Sequence, residues 1–141
     1  MGPRHAMPQT LISMSPPFQT ARRVPMLETI LKAKIHRAVV TDTELDYEGS
    51  IVIGRNLMDA AGIRPYEQVL VVNFTNGARL WTYAILGDDG AIGLRGGAAR
   101  LGMEGDVVTI LTFAMVGPDE DHCPRVVLVK EGNQVDKVLT C

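Results

Sequence analysis

The side chains in this chain that could do chemistry are few, and they fall into three places. Tyr47-Glu48-Gly49-Ser50 puts a serine hydroxyl directly after a glycine, just ahead of the β-branched run Ile51-Val52-Ile53. Lys34 and His36 stand two residues apart in an alternating segment, so on a strand they share one face and could line a cleft or simply meet solvent. Arg79, Thr82 and Tyr83 follow the Asn76-Gly77 pair and offer an anion-binding cation, a small hydroxyl and a phenol. Each has a plain structural reading as well. Most Gly-Ser pairs are only turns, Arg79 could be an exposed strand arginine, and Tyr83 could be a core aromatic with a satisfied hydroxyl. No catalytic triad, phosphate-binding loop or metal motif competes with them, and no metal is expected.

The elements that must position these groups are short strands separated by turn signals. Lys32 to His36 alternates polar and apolar residues, as a half-buried strand does. Asn56 is placed to cap a short helix through Leu57, Met58, Ala60 and Ala61, which Gly62 ends. Val69 to Val72 and Leu80 to Ile85 flank Asn76-Gly77, a strong hairpin signal. Asp88-Asp89-Gly90 turns the chain into Ala91 to Leu94, and Val107 to Ala114 and Val126 to Lys130 supply the last strands. An internal echo recurs after 38 residues: Ala60-Ala61, Ile63 and Gln68-Val69 return as Ala98-Ala99, Leu101 and Asp106-Val107. It suggests a duplicated helix–turn–strand unit, two halves of one small barrel. An ordinary mixed sheet with two similar connections accounts for it too.

Composition narrows the class. At 141 residues and 46% apolar content the chain fits one core. A net charge of −2 with interspersed signs offers no basic stripe for nucleic acid. No apolar run approaches the ~20 residues that span a bilayer, so no membrane partner is expected. Cys123 and Cys141 lie far apart without a CxxC or Cys/His cluster, so neither a disulfide nor a zinc site is indicated and a reducing, cytoplasmic setting is the default. Residues 1–25 hold five prolines, three arginines and no acid, and are expected to form a disordered extension. Residues 26–130 are expected to form the domain, and the polar residues 131–141 a flexible tail.

Taken together in order and spacing, Lys34-Ile35-His36-Arg37, Tyr47-Glu48-Gly49-Ser50, Thr75-Asn76-Gly77 with Arg79 and Thr82-Tyr83-Ala84-Ile85, Gly96-Gly97-Ala98-Ala99 and Gly105-Asp106 resemble the aspartate 1-decarboxylase family. The resemblance runs from about Met26 to about Lys130. It implies a mainly β fold, a six-stranded double-psi β-barrel with short helices, assembled as a homotetramer with active sites between neighbouring subunits. It implies self-cleavage between Gly49 and Ser50, which leaves a pyruvoyl group derived from Ser50, and decarboxylation of L-aspartate to β-alanine for pantothenate and coenzyme A synthesis. It leaves room for a maturation factor, as some members need one.

The resemblance also implies roles. The ketone made from Ser50 would condense with the substrate amino group and act as an electron sink. Tyr83 would donate the proton to Cα, and Arg79 would grip a substrate carboxylate through two hydrogen bonds. Lys34, Tyr47, Thr82, Gly96, Gly97 and Ala98 would complete the substrate pocket, with His36, Asn76 and Arg95 as auxiliary positions. The chain departs from the family at Arg95, where Asn is usual, and at Gly97, where Ala is usual. Those departures motivate a second reading with another acidic amino acid as substrate. A third reading, in a different class, is a barrel that never cleaves and serves as a binding module.

Overall fold

The computed structural model describes residues 26–141, together with Gly2; the extension expected over residues 1–25 otherwise lies outside the described residues. Nine strands and one α-helix make a mainly β structure. They are β1 (Glu28–Val39), β2 (Asp42–Glu44), β3 (Ser50–Gly54), α1 (Arg55–Ala61), β4 (Gln68–Asn73), β5 (Arg79–Gly87), β6 (Ile92–Arg95), β7 (Val107–Val116), β8 (Arg125–Lys130) and β9 (Gln134–Leu139). Short 3-10 turns follow β6 at Gly96–Arg100 and β8 at Glu131–Asn133. The hydrogen-bonded order is β2-β6-β3-β5-β4-β7-β1-β8-β9, with parallel pairs at β2/β6, β3/β5 and β1/β8. Nine strands, rather than the six expected, are therefore present among the described residues.

The alternation seen in the sequence builds the core. Ile35 on β1, Ile51 and Ile53 on β3, Val69 and Val71 on β4, Ile92 and Leu94 on β6 and Ile110 on β7 turn inward and are almost fully buried. Leu57, Met58 and Ala61 of α1 pack onto the same cluster. Each such Ile or Leu contributes about 1.5–3 kcal/mol through burial. Gly62 ends α1 in the left-handed conformation, φ 71°, as expected. The expected cap does not form: Gly54 is the N-cap, and Asn56 sits inside the helix. Its amide instead bridges Gly90 N–H and Asn133 C=O. Asn76-Gly77 does turn β4 into its antiparallel partner β5, with Gly77 at φ 77°. The repeated helical-turn-to-strand units end in β4 and β7, which pair with one another.

The C-terminal residues depart most from expectation. The segment expected to be a loose tail forms the 3-10 turn and β9, antiparallel to β8 with Val126 opposite Leu139. That register carries the two ends of the hairpin together, and Cys123 and Cys141 are joined in a disulfide with Cα atoms 5.7 Å apart. Their 18-residue separation hid this because the hairpin folds it in half. Asn133, 3% exposed, fastens the hairpin to the body. Its Oδ1 accepts from Val39 N–H at 2.8 Å, and its Nδ2 donates to the carbonyls of Val39 and Gly90, both at 2.8 Å. Asn133→Ala is expected to cost about 2–4 kcal/mol by stranding these groups, measured as a drop in the unfolding free energy from urea titration; an unchanged value would make the C-terminal hairpin an appendage.

Candidate functional site

The site is built around the way the chain crosses the end of β6. β2 runs parallel to β6 along one side, and β3 returns antiparallel along the other, with Ser50 opposite Arg95. Residues 45–49 must therefore pass over the C-terminal end of β6. They rest on Gly96, whose φ of 62° suits glycine. A methyl group at 96 would lie 2.6 Å from the Tyr47 carbonyl oxygen and 2.8 Å from both Cα and N of Gly49. The contact that carries Gly49-Ser50 thus requires a residue without a side chain.

Ser50 opens β3 and is 1% exposed, and its Oγ has no hydrogen-bond partner. An unsatisfied buried hydroxyl is costly and needs a reason. Extending the parallel register of β3 and β5 by one residue sets Ser50 beside Tyr83 on the same face. Both border an open cavity of about 540 Å³, shared with Tyr47, Glu48, Pro65, Tyr66, Ile85 and Leu86. Tyr83 is 36% exposed there. Tyr66, which sequence reasoning missed, adopts φ 70° and its ring centroid lies 6.5 Å from that of Tyr83. Its backbone N–H donates to Ala84 C=O at 2.7 Å. Nothing in the sequence signalled Tyr66, since only the β3–β5 pairing brings its loop to Ser50.

The remaining candidates lie elsewhere within the single chain. Arg79 is exposed at the start of β5, on the Tyr83 face but four residues away, roughly 13 Å along a strand. Thr82 alternates with Tyr83 and turns toward the core side. Gly97 is exposed and Ala98 buried on the 3-10 turn. Asn76 is occupied structurally: its Nδ2 donates to Leu101 C=O at 2.9 Å and its Oδ1 accepts from Ala78 N–H at 2.8 Å. Arg95 does not border the cavity; its Nη1 lies 2.7 Å from Asp42 Oδ2.

Lys34 and His36 share the outer face of β1, as the alternation implied. Three strands separate β1 from β3 in the sheet. His36 borders a different cavity with Arg37, Val107, Leu128 and Lys130, and meets Phe74 edge-on at 6.1 Å. Burial, reinforced by the positive charges of Lys34 and Arg37, holds its imidazole below the ordinary 6.5. Among the described residues no group of three or more His, Cys, Asp or Glu side chains could hold a metal ion, and no helix is long and apolar enough to cross a membrane.

A β-rich fold that presents a buried, unpartnered serine directly after a glycine, next to a tyrosine in an open cavity, defines a class of β protein with a serine site at the entry of a strand. Comparison with known sequences gives that class a name. Residues 26–136 match the model of the family described as aspartate decarboxylase. The chain is 53% identical over 117 residues to the aspartate 1-decarboxylase of Leptospira biflexa serovar Patoc, covering 79% of this chain and 99% of that protein. It is 52% identical over 116 residues to that of Phenylobacterium zucineum (79% and 98% covered) and 54% identical over 114 residues to that of Acaryochloris marina (78% and 87%). The chain belongs to the aspartate decarboxylase family.

The crossing at Gly96 yields a direct test. Gly96→Ala is expected to lower stability by about 2–4 kcal/mol, from a left-handed backbone and a forced displacement of the 47–49 turn. Chemical unfolding measures it, and a loss below about 0.5 kcal/mol would show that the turn does not rest on residue 96.

Proposed function

We propose that this chain is a self-cleaving carboxy-lyase that converts L-aspartate to β-alanine and CO₂ on a pyruvoyl group derived from Ser50. The observation that carries the reading is the buried, unpartnered Ser50 hydroxyl directly after Gly49, in a member of the aspartate decarboxylase family. The residues present fit the group. Ser50 supplies its atoms, the Gly49-Gly96 contact leaves room for main chain alone, and Tyr83 faces the same cavity.

In the uncut chain Ser50 Oγ attacks the Gly49 carbonyl carbon, and the amide nitrogen leaves it, so the peptide bond becomes an ester. Loss of the Cα proton expels the Gly49 carboxylate and leaves dehydroalanine at position 50. Hydrolysis then releases ammonia and leaves a ketone. Glycine at 49 leaves the attacked carbonyl free of a side chain on that flank. The pyruvoyl group supplies an electron sink for the pair left behind when CO₂ departs. Arg79 binds the carboxylate that the substrate keeps, as a guanidinium does with two hydrogen bonds. Tyr83 holds the proton that Cα takes up. Lys34, Tyr47, Thr82, Gly96, Gly97 and Ala98 form the rest of the pocket in this reading, with His36 and Asn76 as auxiliary positions.

Arg79, Lys34 and His36 lie away from Ser50 in one chain, so the reading places the complete site between copies of a homotetramer. An exposed apolar row supports assembly: Trp81 and Phe113, with ring centroids 5.9 Å apart, and Met115, 71% exposed. The parallel pairs and the two repeated units are the features that a six-stranded double-psi barrel within this sheet would use. Residues 26–130 would supply that catalytic barrel. A cytoplasmic setting belongs to the same reading through the family alone, since the Cys123–Cys141 disulfide removes the argument drawn from unpaired cysteines. Arg95 and Gly97 motivate the second reading with another acidic substrate; the engagement of Arg95 by Asp42 weakens the Arg95 part of that motive and leaves Gly97 untouched.

Denaturing intact-mass measurement tests the reading. The wild-type chain is expected to give two fragments split between Gly49 and Ser50, the second with a pyruvoyl end, whereas Ser50→Ala stays whole. A split Ser50→Ala chain would refute the mechanism. Tyr83→Phe is expected to cleave normally yet lose about 10²-fold or more in kcat, followed by release of CO₂ from aspartate; full turnover would move the proton donor elsewhere.

A further inference from the structure

β2 is three residues long, exposed throughout and at the outer edge of the sheet. It nevertheless delivers the chain into the 45–49 turn that holds the bond to be cut. Its backbone pairing is short, and a side chain from β6 adds a second hold. Arg95 Nη1 lies 2.7 Å from Asp42 Oδ2, and the Arg95 guanidinium carbon lies 5.9 Å from the Tyr47 ring centroid. The register sets Asp42 opposite Gly93 and Glu44 opposite Arg95, so Arg95 folds back along β6 to reach Asp42. It passes over Gly93, where a methyl group would lie 2.8 Å from Arg95 Nη1 and 2.9 Å from Asp42 Oδ1. The backbone of Arg95 meanwhile pairs with Ser50 on the other side of β6. One residue therefore contacts the strand before the turn, the aromatic within it and the serine after it.

Arg95 and Asp42 do not border the cavity at Ser50. The Arg95 side chain is 17% exposed and that of Asp42 51%, so the pair is partly screened by solvent and its effect is modest. We propose that the Asp42–Arg95 ion pair is a positioning clamp for self-cleavage. It holds the 45–49 turn across the end of β6 so that the Gly49 carbonyl stays within reach of Ser50 Oγ, and it takes no part in binding substrate afterwards. The proposal deepens the self-cleavage reading and rests on it.

The test is a time course of conversion to two fragments, followed by denaturing intact mass for the full chain. Wild type is compared with Asp42→Asn, Asp42→Glu and Gly93→Ala, with melting temperature measured alongside. Asp42→Asn is expected to slow conversion by at least about threefold. Gly93→Ala, which keeps both charges but pushes the guanidinium off Asp42, is expected to slow it comparably. Asp42→Glu, which keeps the charge, is expected to stay closer to wild type than Asp42→Asn does. Once matured, Asp42→Asn is expected to turn over aspartate with the wild-type KM. Conversion of Asp42→Asn at the wild-type rate overturns the clamp, as does Asp42→Glu being equally slow. A raised KM in matured Asp42→Asn overturns it too, because the pair would then act on substrate. A wild-type chain that never converts overturns the self-cleavage reading and the clamp with it; conversion of wild type beside an unaffected Asp42→Asn overturns the clamp alone.

Discussion

The site depends on a steric constraint at one backbone crossing. Because β2 and β3 flank β6 on opposite sides, the five residues between them have to climb over its end, and there is space for them only where residue 96 lacks a Cβ. The crossing presses Gly49 against Gly96, starts β3 at Ser50 and buries the serine hydroxyl away from partners. Burial removes water as an alternative hydrogen-bonding partner, so the hydroxyl is left unsatisfied within the fold. The hydrophobic core serves this arrangement from below, since Ile51 and Ile53 fix the direction of β3 while Ile92 and Leu94 fix that of β6.

Much of this was legible in the residues. Alternation located β1, apolar runs between turn signals located β3 to β8, Asn76-Gly77 located the β4–β5 turn, and Gly62 marked the end of α1. Those signals are local, set by side-chain period and by φ, and a single sequence carries them. The Gly-Ser pair was visible too, as were Tyr47 and Tyr83 beside it, although Tyr66 was not. Tyr66 reaches the cavity through its backbone bond to Ala84 on β5 and the pairing of β5 with β3, whose partners lie 33 residues apart in sequence, and no local pattern announces such a meeting.

The misread parts share that cause. Residues 131–141 are polar, and polarity alone suggested a loose tail. Asn133 instead satisfies the backbone of Val39, 94 positions earlier, and that long-range match turns a polar stretch into a bound hairpin. The Cys123–Cys141 bond follows from the same hairpin register. The partner of Arg95 was not legible either, because Asp42 lies across from Gly93 in a strand too short to have been recognised.

The position of β1 has a consequence for the proposed cut after Gly49. That strand is not at an edge: β7 holds it on one side and β8 on the other, both of which belong to the second fragment. The two fragments are therefore interleaved, and the first cannot depart without opening the sheet. Before such a cut, the peptide link keeps the two parts of each chain tethered to one another. Afterwards, recovery requires two separate molecules to find each other, so refolding becomes concentration-dependent. The cut form then persists through the height of its unfolding barrier.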